Sequence, residues 1–340
     1  MPEEADFIKE DFYEHYRFEV DPGQEPLRID KFLINRIPNT SRTKIQNAAD
    51  SDCILVNGRS VKNNYKVKPS DIIRIVLPEP PEVIELFPEN IPINIIYEDN
   101  NIIIVNKEAG MVVHPAYANY SGTLVNALLY HFNQLAENSD QSHRPGLVHR
   151  IDKDTSGLLV IAKDEFSMTF LSKQFYDHTI SRKYIALVWG NIENDFGTIN
   201  YNLARDPKDR RRVVALKSLD EGKTAVTHYT VKERFGYVTL LECELETGRT
   251  HQIRAHLRAI GHPLFNDEMY GGKEILFGPS FSKYKQFIDN CFNLIPGQAL
   301  HAKSLGFVHP LTRKSVFFDS ELPEGFLSLL EKWRKYSVSG

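Results

Sequence analysis

One stretch of this chain, Gly146-Leu147-Val148-His149-Arg150-Ile151-Asp152-Lys153-Asp154-Thr155-Ser156-Gly157-Leu158-Leu159-Val160, sets a carboxylate, Asp152, between the cations Arg150 and Lys153. The polar run feeds directly into an apolar strand, which is how a reactive group is mounted on the edge of a rigid sheet. A surface turn whose acids cap neighbouring amides has the same composition, a role that suits Asp154 and Thr155, so the residues alone leave both readings open. A second stretch, Glu246-Thr247-Gly248-Arg249-Thr250-His251-Gln252-Ile253-Arg254-Ala255-His256-Leu257-Arg258, breaks a strand at Gly248 and predicts a helix capped by Thr250. On that helix His251, Arg254 and Arg258 recur at helical spacing and share one basic face. The face suits phosphate, or Arg254 pairs a buried carboxylate and holds it as the anion, or the face is simply solvated. His251 and His256 lack the glutamate and the i, i+4 spacing of a zinc helix, so no metal is expected.

Three further segments carry candidates. Asn106-Lys107-Glu108-Ala109-Gly110-Met111-Val112-Val113-His114-Pro115 ends a strand in a glycine-containing loop, where Lys107 and His114 either face phosphate or close the turn. In Arg182-Lys183-Tyr184-Ile185-Ala186-Leu187-Val188, alternation puts Tyr184, Ala186 and Val188 on one face, a place for core packing as readily as for chemistry. Arg205 to Lys217 holds six basic residues, Arg210, Arg211 and Arg212 among them, and reads as an RNA-contacting loop or as a surface loop.

The elements that must position these groups follow from apolar spacing. Ile93 to Tyr97, Ile102 to Val105, Leu158 to Ala162, Tyr184 to Trp189, Ala225 to Val231 and Tyr237 to Leu245 are strand-like, while Thr123 to His131 and Glu165 to Phe175 read as helices. Strands and helices do not alternate as a doubly wound sheet requires. The expected fold class is therefore α+β, with a large mixed or antiparallel sheet and flanking helices over residues 92–335. Residues 27–76 read as a small α+β domain: Leu27, Ile29, Phe32, Leu33 and Ile37 at helical spacing, a helix capped by Ser41, then short strands turning at Asn57-Gly58. Leu77-Pro78-Glu79-Pro80-Pro81 marks a linker, expected over 77–91. Residues 1–26 read as an acidic tail with little structure of its own.

Charge distribution says more than the formal net of −4. Residues 1–26 hold nine acids against Lys9 and Arg17, whereas residues 27–71 hold nine bases against four acids. The small domain thus presents a basic surface of the kind phosphates are drawn to, with Arg42, Lys44 and Arg59 as its candidate contacts. Three widely spaced cysteines, Cys53, Cys243 and Cys291, fit neither a disulfide framework nor a thiolate metal site. No run approaches the roughly 18 apolar residues of a membrane span, and the N-terminus does not resemble a secretory signal, so a soluble cytoplasmic protein is expected, without a membrane partner.

Taken together, the segments resemble the RluA/RluD family of pseudouridine synthases, four separated motifs arriving in that family's order. His149-Arg150-Ile151-Asp152 followed by Thr155-Ser156-Gly157 is similar to its H-R-L-D-x-x-T-S-G signature, with Ile151 for leucine, and places the catalytic aspartate at Asp152. Asn106 to Pro115 is similar to its K-P-x-G-[LM]-x-x-H-P loop, with Glu108 in place of proline. Arg182-Lys183-Tyr184-Ile185-Ala186 resembles the motif whose tyrosine stacks on the target base, and Gly248 to Arg254 the motif whose last arginine pairs the aspartate. His301-Ala302 before Phe307-Val308-His309-Pro310 completes the pattern. Residues 27–76, through Arg28-Ile29-Asp30-Lys31-Phe32-Leu33, Ser41-Arg42 and Val56-Asn57-Gly58, resemble a small RNA-binding module shared by a ribosomal protein and tyrosyl-tRNA synthetases.

The resemblance implies an isomerase that breaks the bond from the anomeric carbon to the base nitrogen, turns the uracil and rejoins it through carbon five. Nothing in that reaction demands a metal or cofactor. Asp152 is then nucleophile or base toward the sugar, Arg254 aims it, and Tyr184 stacks on uracil. Arg150, Lys153, Lys107, His114, Arg249, His251, Arg210 and Arg211 are the expected RNA contacts of the large domain. The implied partner is structured RNA, large-subunit ribosomal RNA foremost and transfer RNA as the alternative, met by a monomer. Two other classes compete: a non-catalytic RNA-binding assembly protein, against which a carboxylate among phosphate-binding cations argues, and a hydrolase using Asp152 with His149.

Overall fold

The computed structural model describes residues 13–34, 36–37, 40–77, 87–115, 119–136, 146–209, 211–218 and 220–339. The chain divides into two compact units, Met1–Glu85 and Leu86–Gly340. From Pro78 the proline-rich stretch expected as a linker lies outside the described residues.

The small unit orders β1 (Tyr13–Glu19), α1 (Ile29–Ile34), α2 (Arg42–Asp50), β2 (Ile54–Val56), β3 (Arg59–Ser60) and β4 (Ile72–Leu77), its sheet running β1-β4-β2-β3. Ser41 caps α2 as its sequence predicts, its hydroxyl accepting the Lys44 N–H at 3.2 Å. Ile29, Phe32, Leu33, Ile45, Ile54 and Ile73 form the core. One expectation is corrected. The acidic run before residue 26 contributes β1, an edge strand antiparallel to β4. Period-two spacing puts Phe18 and Val20 toward the core, with Phe18 edge-on to Phe32 at 6.4 Å, and Glu14 reaches Arg74 at 3.7 Å. Average composition hides that alternation.

The large unit is built on one ten-stranded sheet. Its elements are β5 (Ile95–Glu98), β6 (Ile102–Lys107), α3 (Leu124–Ala136), β7 (Gly146–Leu147), β8 (Ser156–Ala162), α4 (Glu165–Tyr176), β9 (Ser181–Trp189), β10 (Phe196–Asn200), β11 (Asn202–Arg205), β12 (Val213–Leu216), β13 (Val226–Arg234), β14 (Val238–Leu245), α5 (Gln252–Ala259), α6 (Ser282–Phe292), β15 (Leu300–Val308), β16 (Ser315–Asp319) and α7 (Glu324–Ser339). The order is β10-β13-β14-β9-β15-β8-β6-β5, with β16 on β15 and β7 on β8. Every pairing is antiparallel except β15 with β8, so the sheet is mixed, as the α+β reading requires.

Alternation along β9 divides the core. Tyr184, Ala186 and Val188 pack in the layer with Leu128 of α3 and Ile253 and Leu257 of α5. Ile185, Leu187 and Trp189 pack with Ile288 of α6 and Phe326, Leu329 and Trp333 of α7. Trp189 and Trp333 are fully buried, and truncating either to alanine costs about 3–5 kcal/mol. The residues from Arg205 to Lys217 are not a plain loop: β11 and β12 pair as a separate hairpin.

Candidate active site

Asp152 lies in the connection between β7 and β8, and the fold ties that connection on every side. At its far end the chain enters the parallel β8–β15 pair, where Gly157 takes φ +114 and a Cβ would collide with the backbone of Ala302. Only glycine allows that approach. One residue earlier the Ser156 hydroxyl meets His301 Nδ1 at 2.8 Å, and His301 Nε2 meets the Ser320 hydroxyl at 2.9 Å. Burial pulls His301 down to about 4, so this histidine is a neutral strut at physiological pH. Thr155 donates its N–H to the Asp152 carbonyl at 3.1 Å and accepts from Gln298 at 3.1 Å. Beneath the loop, buried Lys107 donates to the carbonyls of Glu108, Met111 and Lys153 at 2.7, 2.8 and 2.9 Å. Of its two expected roles, phosphate contact or turn closure, the structure gives Lys107 the second. Burial holds its amine down at about 8, against the attraction of Asp154 and Asp152.

Arg254 aims the carboxylate. Its Nη1 donates to Asp152 Oδ2 at 2.9 Å, while Nε and Nη2 clasp Asp267 at 2.7 and 2.9 Å. Asp267 is fully buried and is itself fixed by the Tyr270 N–H at 3.1 Å, and the Arg254 guanidinium lies 5.0 Å over the Tyr270 ring. A fork clasped on one side presents its remaining nitrogen in a single direction, which lysine cannot do. Burial would lower the guanidinium, but the bonds and charge of Asp267, then of Asp152, hold it above its ordinary value. His251 Nε2 stands 3.8 Å from Asp152 Oδ1, and its Nδ1 meets the Tyr270 hydroxyl at 3.1 Å. Burial draws His251 below its ordinary value, with Asp152 pulling the other way. Tyr184 rises from β9 beside the same cavity, and burial keeps its phenol protonated.

Asp152, Tyr184, Arg254, Arg150, Arg249 and His251 all line this cavity of about 60 Å³. Arg150 and Arg249 are exposed there. Lys153 is exposed on the loop, and exposed His114 contacts the Pro115 carbonyl at 2.9 Å. Arg211 is exposed on the β11–β12 hairpin and paired to Asp209 at 2.9 Å; Arg210 lies outside the described residues. In the small unit Arg42, Lys44 and Arg59 are exposed.

The second motif departs from its expectation. Thr250 is not the cap of α5, which starts at Gln252; His251 takes the N-cap position in the left-handed region at φ 53. The Gln252 side chain supplies the order instead, its Oε1 accepting from Arg249 N–H and the Thr247 hydroxyl at 3.0 and 2.8 Å. The expected basic face is not simply solvated either: Arg254 is buried, His251 is half-buried and only Arg258 of the three is exposed. His149 accepts the Val160 N–H at 3.0 Å and stacks on Phe175 at 4.5 Å, and burial lowers it to about 3. It is a packing histidine, which removes the base of the hydrolase reading. Sequence reasoning missed Asp267, Gln252 and Tyr270. A guanidinium with five donors needs more than one carboxylate, and that demand was the available signal. Among the described residues no cluster of three His, Cys, Asp or Glu could hold a metal ion.

The family model for RNA pseudouridylate synthase matches residues 101–259, and that for the S4 domain matches residues 27–73. An RNA pseudouridine synthase of Chlorobaculum parvum is 45% identical over 93% of this chain and 97% of its own. The ribosomal large subunit pseudouridine synthase D of Zymomonas mobilis is 42% identical over 87% of this chain and 90% of its own. Among solved structures, human RNA pseudouridylate synthase domain containing 4 shares the fold at a TM-score of 0.57, with 22% identity over 71% of this chain and 93% of that one. A full-length likeness at this identity, over a fold that brings Asp152, Tyr184 and Arg254 to one cavity, makes the chain a member of the RNA pseudouridine synthase family, with an S4 domain ahead of its catalytic unit.

Proposed function

We propose that this isomerase converts uridine to pseudouridine in large-subunit ribosomal RNA, with Asp152 as the reacting carboxylate. The observation that carries the chemistry is the Asp267–Arg254–Asp152 chain: one buried guanidinium, clasped by Asp267, points its last nitrogen at Asp152 in the cavity beside Tyr184. Asp152 acts on the sugar as nucleophile or as base; either role needs the same approach to the ribose. Arg254 positions it, and Tyr184 stacks on the uracil and keeps the freed base in place while it turns. A paired uridine is out of reach, so the target lies in a loop or is flipped out at a cost of a few kcal/mol, which phosphate contacts offset. Arg150, Lys153, Arg249 and Arg211 supply these in the large unit, and Arg42, Lys44 and Arg59 in the small one.

The choice of RNA draws on the relatives of Zymomonas mobilis and Nitrosomonas europaea, at 42% and 40% identity, which bear the name ribosomal large subunit pseudouridine synthase D. Action there fits a cytoplasmic protein, and we infer that it works as a monomer, since one chain carries the whole catalytic trio and Tyr184. Among the described residues no helix is long and apolar enough to cross a membrane. The test is tritium release from carbon-five-labelled uridine in two deproteinised substrates, large-subunit ribosomal RNA and bulk transfer RNA. Release from the first and not the second is expected. Release from transfer RNA alone would sink the ribosomal reading while leaving the isomerase in place.

A further inference from the structure

A second buried guanidinium, Arg182, lies two residues before Tyr184 on β9, and unlike Arg254 it has no anion among the described residues. Arg182 is 7% exposed, and its Nε is sealed from solvent with no hydrogen-bond partner among the described residues. Its single aromatic contact places the guanidinium carbon 5.5 Å from the Phe175 ring centre, a weak offset for a desolvated cation. Among the described residues no carboxylate pairs with it, and burial lowers its affinity for the proton, with Tyr184 pulling the other way. A buried charge left unpaired is costly, and such a group is retained where a ligand brings the opposite charge.

Its surroundings say which ligand. Arg182 and Tyr184 are two apart on β9, so both side chains leave the same face roughly 6.6 Å apart. That step is comparable with the reach from a base to the backbone of its own nucleotide. Nη1 lies against the bare backbone of Gly248, where any Cβ would collide with it. Gly248 is not in the left-handed region, so a side chain there would meet no backbone strain but would displace the Arg182 guanidinium. The Arg182 charge also acts on His149, and each of these neighbours is followed in sequence by an exposed cation, Arg150 after His149 and Arg249 after Gly248. A buried guanidinium set against the backbone of Gly248, with exposed Arg249 next in sequence, suits an anion, and its fork matches a phosphodiester.

We propose that Arg182 binds a backbone phosphate of the RNA beside the target nucleotide, and so positions the uridine that Tyr184 stacks upon. The phosphate supplies the counter-charge that the free protein lacks. This rests on the isomerase activity and not on which RNA is modified, so the substrate for the test is total deproteinised cellular RNA labelled at carbon five of uridine. Initial rates of tritium release are measured for full-length wild type, Arg182→Gln and Gly248→Ala across a salt series, with thermal melts as a control for folding. Arg182→Gln is expected to raise KM on the order of tenfold with a smaller change in kcat. It also lessens the slope of log kcat/KM against log salt by about 0.7–0.9, the share of one phosphate. Gly248→Ala, which pushes the guanidinium aside without removing its charge, is expected to change the slope in the same direction. If Arg182→Gln melts like wild type and keeps the full slope, Arg182 is packing for Phe175 and the proposal falls. Should that variant fail to fold, Gly248→Ala decides by the same criterion.

Discussion

Asp30 in the small unit and Arg254 in the large one are both buried ions holding two partners of opposite sign, but with polarity reversed. Asp30, fully buried, accepts from Arg28 at 2.9 Å and Arg42 at 3.1 Å, whose side chains are 39% and 54% exposed. Arg254 is the buried partner of its own trio, and it presents Asp152, 19% exposed, to the cavity. An anchored anion displays cations, which suits phosphate and carries no chemistry of its own. An anchored cation displays a carboxylate, which repels phosphate and earns its place only by reacting. On the proposed reading the small unit serves affinity alone, and the large unit adds a reacting carboxylate to phosphate contacts of its own.

Removing the anchor of the catalytic trio is expected to have the largest effect. Arg254→Ala strands two carboxylates, one fully buried, and should destabilise by about 3–5 kcal/mol in urea unfolding while lowering kcat on the order of 10²- to 10³-fold. Arg254→Lys, which keeps the charge but not the fork, should recover stability better than rate; equal recovery of both would break the claim that aim is what matters. Next comes Tyr184: alanine should cost about 1–3 kcal/mol of transition-state binding in kcat/KM, and phenylalanine much less, because the ring does the stacking. A phenylalanine variant as poor as alanine would assign the role to the hydroxyl.

The parts of this site legible in sequence are those governed by local spacing. Alternation put Tyr184 on the face it occupies and a carboxylate between cations made the Asp152 loop a candidate, while the roles of Asp152, Tyr184 and Arg254 came from the family resemblance. What stayed hidden depends on groups distant in sequence. Nothing near Lys107 announces that its amine will be used up by three carbonyls, one of them 46 residues away. Asp267 follows α5 in a turn that only the fold returns to Arg254. Thr250 looked like a cap because threonine usually is one; the Gln252 side chain, held by Thr247 and Arg249, outcompeted it. In the small unit the acidic excess before residue 26 concealed β1, since a strand is set by which alternate residues are apolar and not by net charge.

Acid should weaken the large unit through two histidines that the fold holds neutral, fully buried His301 and half-buried His149. His149 and His301 bind protons only at about 3 and about 4, against 6.5 for a free imidazole, so the unfolded chain takes up protons first. Stability is therefore full above about pH 6.5 and is lost as pH falls below it. Urea midpoints between pH 7 and 5 should drop, and His301→Gln should flatten that slope; a slope unchanged in the variant would contradict the neutral-strut assignment. The smallest effects belong to the small unit. Arg42, Lys44 and Arg59 to alanine should each lessen the salt slope of RNA binding by about 0.7–0.9, with kcat unchanged. A fall in kcat would mean that the small unit serves the chemical step as well as affinity.

The central claim, that Arg254 displays Asp152 for reaction, is tested most directly by Asp152→Asn. The variant keeps the shape of the side chain and removes the charge. Wild type and variant are compared for binding and for tritium release from carbon-five-labelled RNA at one salt concentration. The account predicts RNA binding within a few-fold of wild type and no release above background. Release at a rate near wild type would show that Asp152 is not the reacting group, whatever its place beside Arg254.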